Sequence, residues 1–175
     1  MMGGGDLSGP TALATLAVSG DEAAAVGPVP ERPADPDLRD RPLDERREIA
    51  FTMTMGGGMR GAGRRGMMMD LGFDGRPFDA ERVDQQVAAG SVEEWTITNP
   101  TPMDHPFHLH VWPMQLIEAD GEPVSEPTWR DVVNVPANGR VRTLEDFTHH
   151  PGRSVYHCHI LDHEDAGMMA VVDTR

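Results

Sequence analysis

The chain has no lysine, a single cysteine and no long apolar run. Each absence removes a class of explanation. The lone Cys158 cannot close an internal disulfide, so cysteine usage carries little information on redox compartment. No segment approaches the roughly 20 consecutive apolar residues of a membrane-spanning helix. All fifteen basic residues are arginine, against twenty-nine acids, for a formal net charge of −14. With no basic cluster to offset that charge, neither nucleic acid nor a membrane surface is expected as a partner. The exclusive use of arginine reads as a compositional bias without chemical meaning. The N-terminus lacks a basic n-region, and Thr11–Val18 is a weak apolar patch with no cleavage pattern, so no signal peptide is expected there. The length of 175 residues suffices for one domain with a real core.

Residues 1–45 are rich in Gly, Pro, Ala and Asp and poor in large apolar side chains. Such a segment cannot bury enough surface to offset its ordering entropy, so it is expected to be a disordered leader or interdomain linker. Residues 46–175 are expected to form the folded domain. Glu48–Met55 alternates apolar and polar residues as a strand does, and Gly56–Gly66 reads as a flexible Gly/Arg loop leading to Met67–Met69. Further strands are expected over Ser91–Asn99, Phe107–Glu118, Val132–Val135, Arg140–Phe147, Ser154–His159 and Met169–Asp173. Short strands punctuated by Gly, Pro and Asn, with no long segment of helical period, predict an all-β Greek-key barrel or sandwich.

Two stretches near the C-terminus hold six of the eight histidines and the only cysteine. The first is His105-Pro-Phe-His108-Leu-His110. The second runs from Tyr156-His157-Cys158-His159 through His163 and Glu164 to Met168. A thiolate, imidazoles and a thioether together suit copper better than other common metals. Cys158, His163 and Met168 follow one another at intervals of five, a spacing that fits a strand end, a loop and the next strand start folding around one ion. A second histidine must come from elsewhere, and His105 is the best placed. Side chains alternate across a strand, so His157 and His159 should face away from Cys158, and His108 and His110 should share a face. A plain electron carrier needs none of these four, which implies a second metal centre a few covalent bonds from Cys158. His149 and His150 are adjacent, precede Pro151-Gly152, and read as loop residues.

The pattern His-x-x-His-x-His followed by His-Cys-His-x-x-x-His-x-x-x-x-Met resembles the C-terminal cupredoxin domain of multicopper oxidases, a family that includes laccases, bacterial cuprous oxidases, bilirubin oxidases and ascorbate oxidases. The resemblance covers roughly residues 46–175, with Asp104–Trp112 and Tyr156–Met169 carrying its specificity. It implies a cupredoxin-like fold with His105, Cys158, His163 and axial Met168 at a type 1 copper. It further implies His108 at a type 2 copper and His110, His157 and His159 at a type 3 pair. In such enzymes the type 1 copper takes single electrons from a donor such as Cu(I) or a phenol. The electrons pass through the Cys-His segment to a trinuclear cluster, where dioxygen becomes water. An acid at the place of Glu164 helps deliver protons in similar bacterial laccases. Met103 and Asp104, just before His105, would line the substrate entrance. Members of the family are usually exported.

The family's cluster draws on four histidine motifs, and this chain supplies two of them. The missing pair of His-x-His motifs is expected in an N-terminal cupredoxin domain of a longer enzyme or in another chain. The alternative is a stand-alone blue-copper electron-transfer or copper-binding module without oxidase activity. A zinc or cupin-type site is a weaker third reading, since His-x-His also occurs there. The chain carries twelve methionines, and Met53, Met55, Met59 and Met67–Met69 cluster around the Gly loop. Thioethers bind Cu(I), but these residues read more readily as core and loop filler.

Overall fold

The computed structural model describes residues 14–21, 27–31, 33, 36–56 and 68–175. The chain divides into two units, Met1–Pro33 and Ala34–Arg175. In the first, the described residues are exposed and form neither helix nor strand. Among the described residues, all the regular structure lies in the second unit. Its strands are β1 (Glu45–Gly56), β2 (Met68–Phe73), β3 (Gln85–Val87), β4 (Val92–Thr98), β5 (His105–Leu109), β6 (Met114–Ala119), β7 (Glu122–Arg130), β8 (Val132–Val135), β9 (Arg140–Asp146), β10 (Gly152–Cys158) and β11 (Met169–Thr174). A 3-10 turn covers Leu38–Asp40, and one short helix, α1, covers Leu161–Asp165.

The strands form two sheets. One has six strands in the order β2-β1-β4-β9-β6-β7, and the other five in the order β3-β11-β10-β5-β8. Pairing is antiparallel except where β1 meets β4 and β11 meets β3. The expected all-β sandwich is what forms. Alternation puts Ile49 and Phe51 of β1, Trp95 and Ile97 of β4, Phe107 and Leu109 of β5 and Tyr156 of β10 into one core, each at most 1% exposed. Burying each of these large side chains contributes about 1.5–3 kcal/mol. The aromatics interlock: Tyr156 meets Phe107, Phe73 and Trp95 at ring separations of 5.4, 4.9 and 5.9 Å.

Several expectations need correction. The single strand expected over Phe107–Glu118 is two strands, β5 and β6, in different sheets. The chain crosses between them at Val111, whose φ of +79° reverses its direction. Pro113 follows, with no N–H to continue a ladder. Trp112 plugs the crossing, 2% exposed, with its indole N–H donating to the His149 carbonyl at 2.9 Å. The strand expected over Ser154–His159 ends at Cys158. Strand β7 was not foreseen, because Pro123 and Pro127 argue against a strand interior. It lies at the edge of its sheet, the position where proline is tolerated in a strand.

The folded unit also starts earlier than residue 46. Leu38 is 3% exposed and packs with Val92 and Leu144 on the face of the six-stranded sheet turned away from the main core. Gln115 holds this segment at both ends of its amide: Oε1 accepts the Leu38 N–H and Nε2 donates to Asp37, each at 2.6 Å. The indole N–H of Trp129 donates to the Pro36 carbonyl at 3.1 Å. One leucine and two polar anchors suffice to fix a segment whose composition reads as linker. Residues 57–67, including Met59, Met67 and most of the expected Gly/Arg loop, lie outside the described residues, whereas Met68 and Met69 open β2.

Candidate metal centre

Strands β5 and β10 are neighbours, with Phe107 opposite Cys158 and His108 opposite His157. This pairing brings the two histidine-rich stretches together. Along β5, His105, Phe107 and Leu109 turn into the core and His108 turns out. Cys158, the last residue of β10, also turns in and is fully buried. The next ten residues form a tight return. The peptide N–H of His163, in α1, donates to the Ile160 carbonyl, that of Met168 to the His163 carbonyl, and that of Cys158 to the Met168 carbonyl, at 2.9, 2.9 and 3.0 Å. The loop thus closes on itself with Met168 fully buried beside Cys158.

The inward group is His105, Cys158 and His163, whose ligand atoms lie within 4.8 Å of one another. Both imidazoles present Nδ1 to the sulfur, each 3.6 Å from Cys158 Sγ. Nitrogen and sulfur bound to one ion at about 2.0 and 2.3 Å, with a near-tetrahedral angle between them, stand roughly 3.5 Å apart. The spacing therefore fits a shared metal ion. The donor set of two nitrogens and one sulfur, with the buried Met168 hydrogen-bonded through its backbone to Cys158, is of the kind copper favours. Burial, with the His163 charge adding to it, pushes the His105 imidazole down to about 4, so it is neutral and ready to donate a lone pair at neutral pH. Burial pushes the Cys158 thiol up, so a metal must displace its proton.

The second group lies on the other face of the same two strands. His108, His110 and His157 bring their ligand atoms within 4.8 Å of one another. Nε2 of His110 and Nε2 of His157 are 2.9 Å apart. His108 Nδ1 donates to the Asp131 carbonyl at 2.7 Å, which leaves Nε2 bare for a metal. His157 Nδ1 faces its neighbour's carbonyl at 3.0 Å and the Glu164 carboxylate at 3.3 Å. His159 sits just past the strand end, exposed, its peptide N–H donating to the Pro106 carbonyl at 2.8 Å. It is not among the three histidines gathered most closely. Its ring nevertheless stacks on His157 at 5.7 Å and lies 5.4 Å from His108. Burial and the neighbouring His108 and His157 push His110 below the ordinary histidine range.

Of the other predicted residues, Met103 and Asp104 lie in the loop leading into β5. Met103 is 40% exposed. The Asp104 carboxylate holds the loop to its neighbours, accepting from Asn134 Nδ2 at 3.1 Å and from the Ala137 peptide at 2.9 Å. His149 and His150 are exposed and belong to neither group. Sequence reasoning missed the contacts of Thr101 with His105 and of Asp131 with His108. A backbone carbonyl leaves no trace in residue type, so the second contact had no signal to find.

Comparison with known proteins bears on family and fold. The family model described as multicopper oxidase matches residues 43–175. A laccase of Bacillus stratosphericus is 32% identical over 158 residues, covering 79% of this chain and 29% of that protein. Among solved structures, a multicopper oxidase of Campylobacter jejuni described as a metallo-oxidase superposes with a TM-score of 0.65 at 30% identity, covering 77% of this chain and 31% of the other. A laccase of Pediococcus acidilactici gives a TM-score of 0.63 at 32% identity, with 78% and 28% covered. The chain thus spans about a third or less of these relatives, and what it matches in them is a cupredoxin-like sandwich. With the family match running over residues 43–175, which include every strand of the folded unit, and two histidine-bearing groups back to back on one pair of strands, the chain belongs to the multicopper oxidase family.

Proposed function

We propose that this chain is the electron-accepting and cluster-bearing portion of a copper oxidase that oxidises a one-electron donor and reduces dioxygen. The observation that carries the reading is the position of Cys158 between two groups. Its side chain belongs to the inward one, and the residue before it, His157, to the outward one. His105, Cys158, His163 and Met168 would hold a type 1 copper, His108 a type 2 copper, and His110, His157 and His159 a type 3 pair. Copper bound at these places supplies one-electron redox steps and the reduction of dioxygen to water.

The residues of the chain do the rest. The backbone from Cys158 to His157 and to His159 gives electrons a covalent route of a few bonds between the groups. Burial of Cys158 and His105 keeps water from the sulfur. Glu164, against Nδ1 of His157 and 30% exposed, can take a proton from solvent and hold it at the edge of the outward group. Met103 and Asp104, in the loop leading into β5, would line the entrance for a donor such as Cu(I) or a phenol. The outward group would be completed by two His-x-His motifs on a further cupredoxin domain of the same protein or on another chain.

A second reading follows from the same geometry, since the inward group is complete within the chain. It is a blue-copper carrier without oxidase activity. Counting copper and following oxygen separates the two. Four coppers per assembled unit with oxygen consumption supports the oxidase. One blue copper and no oxygen uptake in the assembled protein supports the carrier. Zinc uptake without a blue band would overturn both.

A further inference from the structure

The loop before β5 contains a polar relay that ends on His105. Asn99 is 1% exposed, and three carbonyl oxygens surround its Nδ2: those of Met103, Val135 and Pro136, at 2.8, 3.0 and 3.0 Å. A ring of acceptors fixes the amide orientation, so Oδ1 must point the other way. There it accepts the Thr101 peptide N–H at 3.0 Å and lies 2.7 Å from Thr101 Oγ1. That hydroxyl also lies 3.1 Å from the Met103 carbonyl. Both neighbours are pure acceptors, so the single hydroxyl proton is committed to one of them. The contact that remains is His105 Nε2, at 2.8 Å. With its proton spent, Thr101 can only accept there, and His105 must carry its proton on Nε2. Nδ1, the nitrogen facing Cys158 Sγ at 3.6 Å, is left bare.

We propose that Thr101, oriented by Asn99, is a positioning residue. It holds His105 in the tautomer and ring orientation that aim Nδ1 at the inward centre, and it tunes the donor strength of that nitrogen. Thr101 touches no reacting atom and acts only through His105. A metal-binding histidine ordinarily spends its second N–H on a carboxylate, a backbone carbonyl or water. Here a buried hydroxyl, 3% exposed, takes that place. Donating a hydrogen bond from Nε2–H makes the imidazole a stronger electron-pair donor at Nδ1, which favours an oxidised metal over a reduced one. The effect on copper rests on the proposed type 1 centre; the tautomer does not.

Two measurements keep these apart. In the metal-free 175-residue chain with ¹⁵N-labelled histidine, NMR at neutral pH should show His105 as the Nε2–H tautomer with a slowly exchanging proton. Thr101→Ser should preserve that signal, and Thr101→Val should lose it or shift His105 towards Nδ1–H. An Nδ1–H tautomer in the unmodified chain overturns the proposal with no variant needed. So does an unchanged signal in Thr101→Val. Copper titration of the unmodified chain separately checks the centre, because absence of a blue band there would fail the type 1 reading and not the tautomer. Where the band forms, Thr101→Val should bind copper about 10–100-fold more weakly and show a more positive reduction potential, with Thr101→Ser restoring both. Equal affinity and potential in Thr101→Val would contradict the tuning role.

Discussion

Replacing Cys158 with serine exchanges a polarizable thiolate for a hard hydroxyl of nearly the same shape at a fully buried position. The fold should tolerate the change, so the melting temperature should move little while the blue absorption of copper-loaded protein disappears. A retained blue band in Cys158→Ser would mean the sulfur is not a ligand. Met168→Leu keeps the volume and removes only the thioether. It should leave the band in place and shift the reduction potential upward, read by redox titration. At this scale the gathering of His105, Cys158 and His163 was legible because thiol and imidazole are rare and their spacing is demanding. Thr101 was not, since a hydroxyl four residues before His105 looks like any turn threonine until Asn99 is seen to orient it.

At the scale of elements, strand boundaries were legible where apolar alternation is strong, as in β4 and β9. They failed where backbone geometry decides. Nothing in Phe107–Glu118 announces that Val111 takes a left-handed conformation, and that one residue sends β5 and β6 to different sheets. Gly72 is a second such place. A Cβ there would meet the Arg76 carbonyl oxygen at 1.9 Å, and that same oxygen accepts the Phe73 N–H at 3.0 Å. Gly72→Ala should therefore cost about 1–3 kcal/mol in urea unfolding, the range for forcing an extra methyl into packed structure. The segment before β1 has its own test. Leu38→Ala should cost about 2–5 kcal/mol and open residues 36–44 to proteolysis. A variant as stable and as protected as the parent would show that this segment only rests on the sheet.

Across the whole molecule, the buried charges ask how a chain of net charge −14 keeps acids inside its core. Glu93 is answered by Arg47 at 2.6 Å. Glu145, directly across the ladder from Glu93, is fully buried, and neither of its carboxyl oxygens has a hydrogen-bond partner among the described residues. Burial first, then the Glu93 and Glu94 charges, raise it well above the ordinary carboxyl range. A carboxyl raised on folding contributes stability that is complete below its unfolded pKa and is lost as pH rises through the folded one. The unfolding free energy of the parent should therefore fall relative to Glu145→Gln as pH goes from about 4 to 8. Parallel pH profiles would contradict this.

The central claim is that one copper centre is complete within the chain and a second is only begun. Its most direct test is a copper titration of the metal-free 175-residue chain, read by metal analysis and visible absorption together. The account predicts one tightly held copper per chain that accounts for all of the blue absorption, with no oxygen consumption by the chain alone. A chain that binds copper without a blue band, or that consumes oxygen unaided, would contradict it.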